Sequence, residues 1–196
     1  MNTYHYVLYV HLLSLFIGIG AGSVILVCLL QLKAARTLEQ AVPWGMMSGK
    51  TGRFFPIAIL GLLATGAYMT HKLWTWSTPW IVVAIVALVV LFVQGAGIAE
   101  RTGHKLAAAM QANGPGPLGP ECRRLALSPG LWAVEFSNLG IVLGVVWNMT
   151  EKPGWGEAIA AVVVGWAVGV ALALLVTRSA KAEIGTAPSA APDPAA

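Results

Sequence analysis

Four kinds of polar side chain stand in otherwise apolar stretches of this sequence: imidazole at His11 and His71, a thioether at Met149, a carboxyl at Glu135 and an amide at Asn138. Imidazole nitrogen and thioether sulfur are soft donors that suit copper(I) or a haem iron. His11, His71 and Met149 are therefore the candidate ligands for copper or haem b, with Met69 and His5 toward the same end. No H-x-x-x-H or C-x-x-C spacing joins them, and His5 lies about 120° from His11 around a helix, so a shared site must draw on several helices. Glu135 is the one carboxylate inside an apolar segment. An isolated charge is costly there, which predicts a locking pair with Arg53, Arg101, Arg123 or Arg124, or else a proton or ion relay. Asn138 follows one turn later on the same face.

His11 shares a stripe with Gly18 and Gly22, all within about 40° at 100° per residue, and Ser14 sits at its edge. Small residues spaced this way let helices approach closely where lipid supplies no hydrophobic drive between them. The stripe is thus a packing face, and His11 points into the bundle, bonded to a neighbouring helix or to a cofactor. Counting about 20 residues back from Leu32 sets His11 near the outer edge of the hydrocarbon. Gly165-x-x-x-Gly169 has the spacing of a dimerisation face. The expected partners are the lipid bilayer and a second copy or another membrane component.

The elements that must position these residues are helices in a membrane. Of 196 residues, 57% are hydrophobic and 10% charged, against roughly 25% charged in soluble domains. A span needs about 20 predominantly apolar residues, and five stretches supply them: 6–32, 54–70, 80–99, 131–149 and 158–177. The fold expected is an all-α bundle of five transmembrane helices, one domain over residues 1–183. Thr78-Pro79 and Ser128-Pro129 each put a capping hydroxyl before a first-turn proline, and Pro56 falls in a first turn, where its missing N–H has no partner to lose. The third helix continues through 100–113 until Asn113-Gly114 stops it. Residues 114–120, rich in Gly and Pro, read as a structureless connector. The Ala- and Pro-rich tail 184–196 reads as disordered.

Cytoplasmic loops retain Lys and Arg. Lys33, Arg36, Lys50, Arg53, Arg101, Lys105, Arg123, Arg124, Arg178 and Lys181 fall on one side, and only Lys72 and Lys152 on the other. This puts the N-terminus outside and the C-terminus inside a cytoplasmic (inner) membrane, in a multi-pass protein. Trp74, Trp76, Trp80, Trp147 and Trp155 gather at the outer boundary, where amphipathic rings prefer to lie. The net charge of +4 is therefore topological and does not point to nucleic acid. Cys28 and Cys122 read as reduced thiols. The first six residues lack Lys and Arg, and the apolar run behind them exceeds a signal-peptide core of about 7–15 residues, so no cleaved signal is expected.

Three passages carry a resemblance: Tyr-Val-Leu-Tyr-Val-His11 leading into a Gly-rich helix, Phe-Pro56-Ile-Ala-Ile-Leu-Gly-Leu-Leu-Ala-Thr65-Gly66, and Trp147-Asn-Met149-Thr-Glu-Lys152-Pro153. Across most of residues 4–178 the chain resembles bacterial integral membrane proteins of unassigned activity that are loosely similar to the copper-resistance D proteins. The resemblance implies a helical membrane fold, with His11 matching a first-helix histidine that the copper-resistance D proteins share with haem-dependent protoporphyrinogen oxidases. No further intramembrane His or Lys completes such a site here. The leading functional expectation is a non-enzymatic membrane or assembly component with an outer-side metal or haem site. The alternatives are a haem-binding oxidoreductase or electron carrier, or a copper import protein. Orientation is directly testable: in intact cells an impermeant thiol reagent should label cysteines placed at positions 75 and 154 and spare one at 115, whereas labelling at 115 would contradict the five-span arrangement.

Overall fold

A computed structural model describes residues 3–185, with side chains through residue 178. Among the described residues the chain is helical, with α1 (Thr3–Ala34), α2 (Leu38–Gly52), α3 (Phe54–Leu73), α4 (Pro79–Gln94), a π-helical turn (Gly95–Ala99), α5 (Glu100–Ala112), α6 (Pro120–Ala126), α7 (Pro129–Glu151) and α8 (Trp155–Gly185). Five helical runs are long and apolar enough to cross a membrane: Thr3–Ala34, Leu38–Leu73, Pro79–Ala112, Pro120–Glu151 and Trp155–Arg178.

The local breaks follow from residue type. Lys152 takes a left-handed conformation (φ 53°, ψ 51°) and its N–H reaches the Asn148 carbonyl, closing α7; Pro153 then prevents continuation. Prolines 79 and 129 occupy first turns as expected, but neither Thr78 nor Ser128 makes a side-chain capping bond. The π turn inserts one residue into an otherwise continuous rod, where Gly95 and Gly97 have no side chain to obstruct it; such bulges bend helices locally.

Packing is built on two seams of small residues. In the first, the α1 stripe runs antiparallel along α3. A Cβ on Gly18 would stand 3.5 Å from that of Ala58, Ser14 presses on Gly61, and His11 Cε1 would be 3.5 Å from a Cβ on Gly66. In the second, α7 and α8 touch backbone to backbone: a Cβ on Gly140 would collide with the Gly165 carbonyl, and one on Gly165 with that of Gly140. A Cβ on Gly144 would lie 2.6 Å from the Ala161 carbonyl, and one on Gly169 would overlap that of Phe136. The far side of α7 meets α4 through Ala84, Ala87, Ile141 and Val145. The α1–α3 hairpin touches the α4–α7–α8 group comparatively little.

The end bearing α2, α5 and α6 has its own apolar core, in which Leu29, Leu32, Ala41, Leu106, Met110, Leu125 and Trp132 are buried together. Trp132 donates its indole N–H to the Ala126 carbonyl at 2.9 Å. Here several expectations are corrected. Residues 38–52, outside the five expected spans, form a helix of their own, because Ala41, Trp44 and Gly45 find a surface on α1 and Met110. Residues 114–119 are irregular but pinned: an isolated antiparallel bridge joins Thr37 to Pro117, the Leu38 N–H reaches Gly116 O, the Leu118 N–H reaches Arg36 O, and Glu39 accepts from the Gly116 N–H at 3.0 Å. Helix α8 extends to Gly185, into what was expected to be the start of a disordered tail; residues 186–196 lie outside the described residues.

The seams predict sharply unequal effects of equal substitutions. Gly140→Ala and Gly165→Ala drive a methyl into backbone, an overpacking cost of about 1–3 kcal/mol or more, and each should lower the melting temperature in detergent by roughly 2–10 °C. Gly20→Ala meets nothing within 4 Å and should be neutral or slightly stabilising, since Ala is the better helix former. Equal melting temperatures for all three would contradict the α7–α8 contact.

Candidate functional site

His11 is 6% exposed, held in the α1–α3 seam by a 2.8 Å bond between its Nδ1 and the Thr65 hydroxyl. That hydroxyl donates its one proton to the Gly61 carbonyl at 2.5 Å. In the tautomer that donates from Nδ1–H to this hydroxyl, Nε2 carries no proton. On α3, Gly61 meets Ser14 and Gly66 meets His11, neither with a side chain of its own to intervene, while Thr65 supplies the hydroxyl. Gly66 precedes Leu73, the last residue of α3, by seven residues, about 10 Å of rise, so His11 is set well back from that end of the bundle.

Glu135 leaves α7 toward the same stripe, and its Oε1 would lie 3.8 Å from a Cβ on Gly22, beside Phe55. The ion pair expected for it is not formed. Among the described residues the carboxylate–cation contacts join Arg124 to Glu121 at 2.6 Å and His104 to Glu100 at 3.7 Å. Arg53, Arg101 and Arg123 are solvent-exposed, and although Phe55 beside Glu135 is only two residues from Arg53, none of these arginines forms an ion pair with it. One turn on, the Oδ1 of Asn138 is buried without a hydrogen-bond partner. Neighbouring polar groups are matched: Ser137 bonds Gln94 across to α4 at 3.1 Å, and the fully buried Asn148 donates to Ala158 O at 3.0 Å, although its own Oδ1 has no partner.

The three soft-ligand candidates are not brought together. His71 is exposed and lies about 140° around α3 from Gly66, the neighbour of His11. Met149 packs on the Ala84, Ala87, Ile141 and Val145 cluster against α4. One metal ion cannot reach all three, since its ligands must stand within about 2.0–2.3 Å. Among the described residues no three His, Cys, Asp or Glu side chains gather to hold a metal ion. His5 stacks edge-on with Tyr4. Of the packing residues, Ser14, Gly18 and Gly22 line the α1 seam, while Gly165 and Gly169 meet α7 of the same chain.

Sequence reasoning passed over Thr65, Gln94, Gly140 and Gly144 as contributors. Gly140-x-x-x-Gly144 repeats the spacing of Gly165-x-x-x-Gly169 in the preceding helix, and that repetition was the available signal. Comparison with protein-family models, curated proteins and solved structures finds no match to this chain.

Proposed function

We propose that this chain is a five-span component of a bacterial cytoplasmic membrane, N-terminus outside and C-terminus inside, that is non-enzymatic and works through a proton held at Glu135. Support for the placement comes from α3, whose 20 residues make about 30 Å, the thickness of the hydrocarbon. It is flanked by Arg53 and Trp74, and Trp76, Trp80, Trp147 and Trp155 gather at the Trp74 end while most cations gather at the Arg53 end. On this reading Gly22, beside Phe55, lies at the inner boundary. The apolar end of α1 with α2, α5 and α6 then forms a cytoplasmic head. His11 sits about 10 Å inside the outer boundary, deeper than the count from Leu32 implied, because the last turns of α1 belong to the head.

The observation that carries the proton reading is the pairing of two orphans one turn apart. Glu135 has no cation or hydrogen-bond partner among the described residues, and Asn138 Oδ1 is a buried acceptor without a donor. A carboxylate so placed is costly. Taking up one proton from the cytoplasmic side neutralises it and supplies the O–H that Asn138 lacks; releasing that proton restores the charge. Each exchange changes the fit of α7 against the α1–α3 hairpin, where contact is sparse.

A second reading, supported by the Thr65 bond to Nδ1 of His11, which leaves Nε2 available, is that His11 would hold haem b or copper(I), as the resemblance to copper-resistance D proteins implies. Purified protein should then carry a Soret band or stoichiometric copper that His11→Ala abolishes; a colourless, metal-free protein overturns it.

For Glu135 the lock and the proton site predict opposite results. Breaking a buried ion pair costs about 3–5 kcal/mol, whereas Glu135→Gln at an unpaired carboxyl should leave the melting temperature unchanged or raised. Infrared spectra should show a protonated-carboxyl C=O band in the wild type that Glu135→Gln removes. A large loss of stability with no such band would restore the lock.

A further inference from the structure

The exposed face that runs from α2 into α3 combines features that the bundle does not use. Met46, Lys50, Arg53, Ile57 and Leu60 recur at helical spacing and fall within about 80° of one another. Met46, Ile57 and Leu60 are 57%, 60% and 67% exposed, and Lys50 and Arg53 are exposed as well. Neither cation has a carboxylate partner among the described residues, where Arg124 pairs with Glu121 and His104 lies against Glu100. The nearest acid along α2, Glu39, is turned to the Gly116 N–H. Opposite this stretch, α1 presents Ser23, Val24, Val27 and Cys28 against Trp44 and Met47, none of them charged. Gly49 and Gly52 flank the cations with open space around them, so nothing of the chain crowds the approach to Lys50 and Arg53. Two cations one turn apart, about 4.5 Å in rise, with an apolar track leading away along Phe54, Ile57 and Leu60, match the chemistry of a phosphate carrying an acyl chain.

We propose that this face binds an anionic phospholipid of the inner leaflet, its phosphate between Lys50 and Arg53 and one acyl chain along Phe54, Ile57 and Leu60. Charge complementarity selects this occupant over a second copy of the chain, whose corresponding face would bring the same two cations against these. Zwitterionic lipid offers the same apolar chain but no net negative charge, so discrimination between head groups falls to Lys50 and Arg53. The attraction of a basic residue to an anionic membrane surface is substantial and salt-dependent.

The inference rests on the five-span placement, and nanodiscs separate the two because both leaflets then hold the same lipid and orientation does not enter. In discs of phosphatidylglycerol the full chain should melt about 4 °C or more above its value in phosphatidylcholine, with the gain shrinking in high salt. Lys50→Gln with Arg53→Gln should abolish most of that gain, Lys50→Arg with Arg53→Lys should keep it, and Lys105→Gln, elsewhere on the basic rim, should leave it intact. A gain undiminished in the double Gln variant, or no difference between the two lipids for the wild type, overturns the site. Inorganic phosphate added to phosphatidylcholine discs should give no gain; an equal gain would overturn the lipid assignment in favour of free phosphate. A dimer that forms in phosphatidylcholine and is lost on Met46→Glu would overturn it in favour of a second copy.

Discussion

The contact on which the rest of the bundle depends is the approach of α7 to α8 at Gly140, Gly144, Gly165 and Gly169, where backbone meets backbone and no Cβ has room. In lipid, apolar side chains gain little by leaving one another's company, so association relies on close packing and hydrogen bonds between helices. Glycines on both partners bring the axes near enough for those weak forces to accumulate. With α8 held so tightly, α7 is free to present its remaining faces to α4 on one side and to α1 on the other. Both polar placements of interest, Ser137 toward Gln94 and Glu135 toward Gly22, follow from that geometry.

A second consequence concerns which polar groups are at rest. His11 with Thr65, Ser137 with Gln94 and Asn148 with Ala158 join neighbouring helices by hydrogen bonds, as buried polar groups generally must. The exceptions are the Oδ1 atoms of Asn138 and Asn148, buried without a partner, and Glu135, which points toward Gly22 of α1 and makes no ion pair.

Much of this was legible in the residues, and the failures have physical causes. The apolar runs identified five membrane-length helices because length and hydropathy are local properties. The His11, Ser14, Gly18 and Gly22 stripe was readable because 100° per residue is enough to superpose them. Its partner, α3, was not, since helix pairing depends on contacts between residues some 50 positions apart. Helix α2 was hidden by Pro43, Gly45, Gly49, Gly52 and its charges, which interrupt the apolar period; a tertiary surface on α1 and Met110 overrides that local preference. The π turn escaped notice because one inserted residue leaves no compositional trace. Glu135 was expected either to pair with an arginine of the basic rim or to relay a proton; it stands beside Phe55 near that rim, but the arginines turn to solvent and no pair forms. Gly165 and Gly169 showed a packing face correctly by spacing, while spacing alone could not say that the packing partner lies within the same chain.

The central claim is that the bundle is organised by close seams of small residues with a defined pairing of α1 to α3. It can be measured directly as a disulfide. Ideal Cβ positions at Gly18 and Ala58 stand 3.5 Å apart, within the range of about 3.5–4.5 Å that a disulfide requires. In a background with Cys28→Ser and Cys122→Ser, the pair Gly18→Cys with Ala58→Cys should cross-link rapidly under mild oxidation in the membrane. Moving the first cysteine to position 20, on a face with nothing within 4 Å, should abolish the cross-link. Equal cross-linking from positions 18 and 20, or none from 18, would contradict the pairing and with it the account of the bundle.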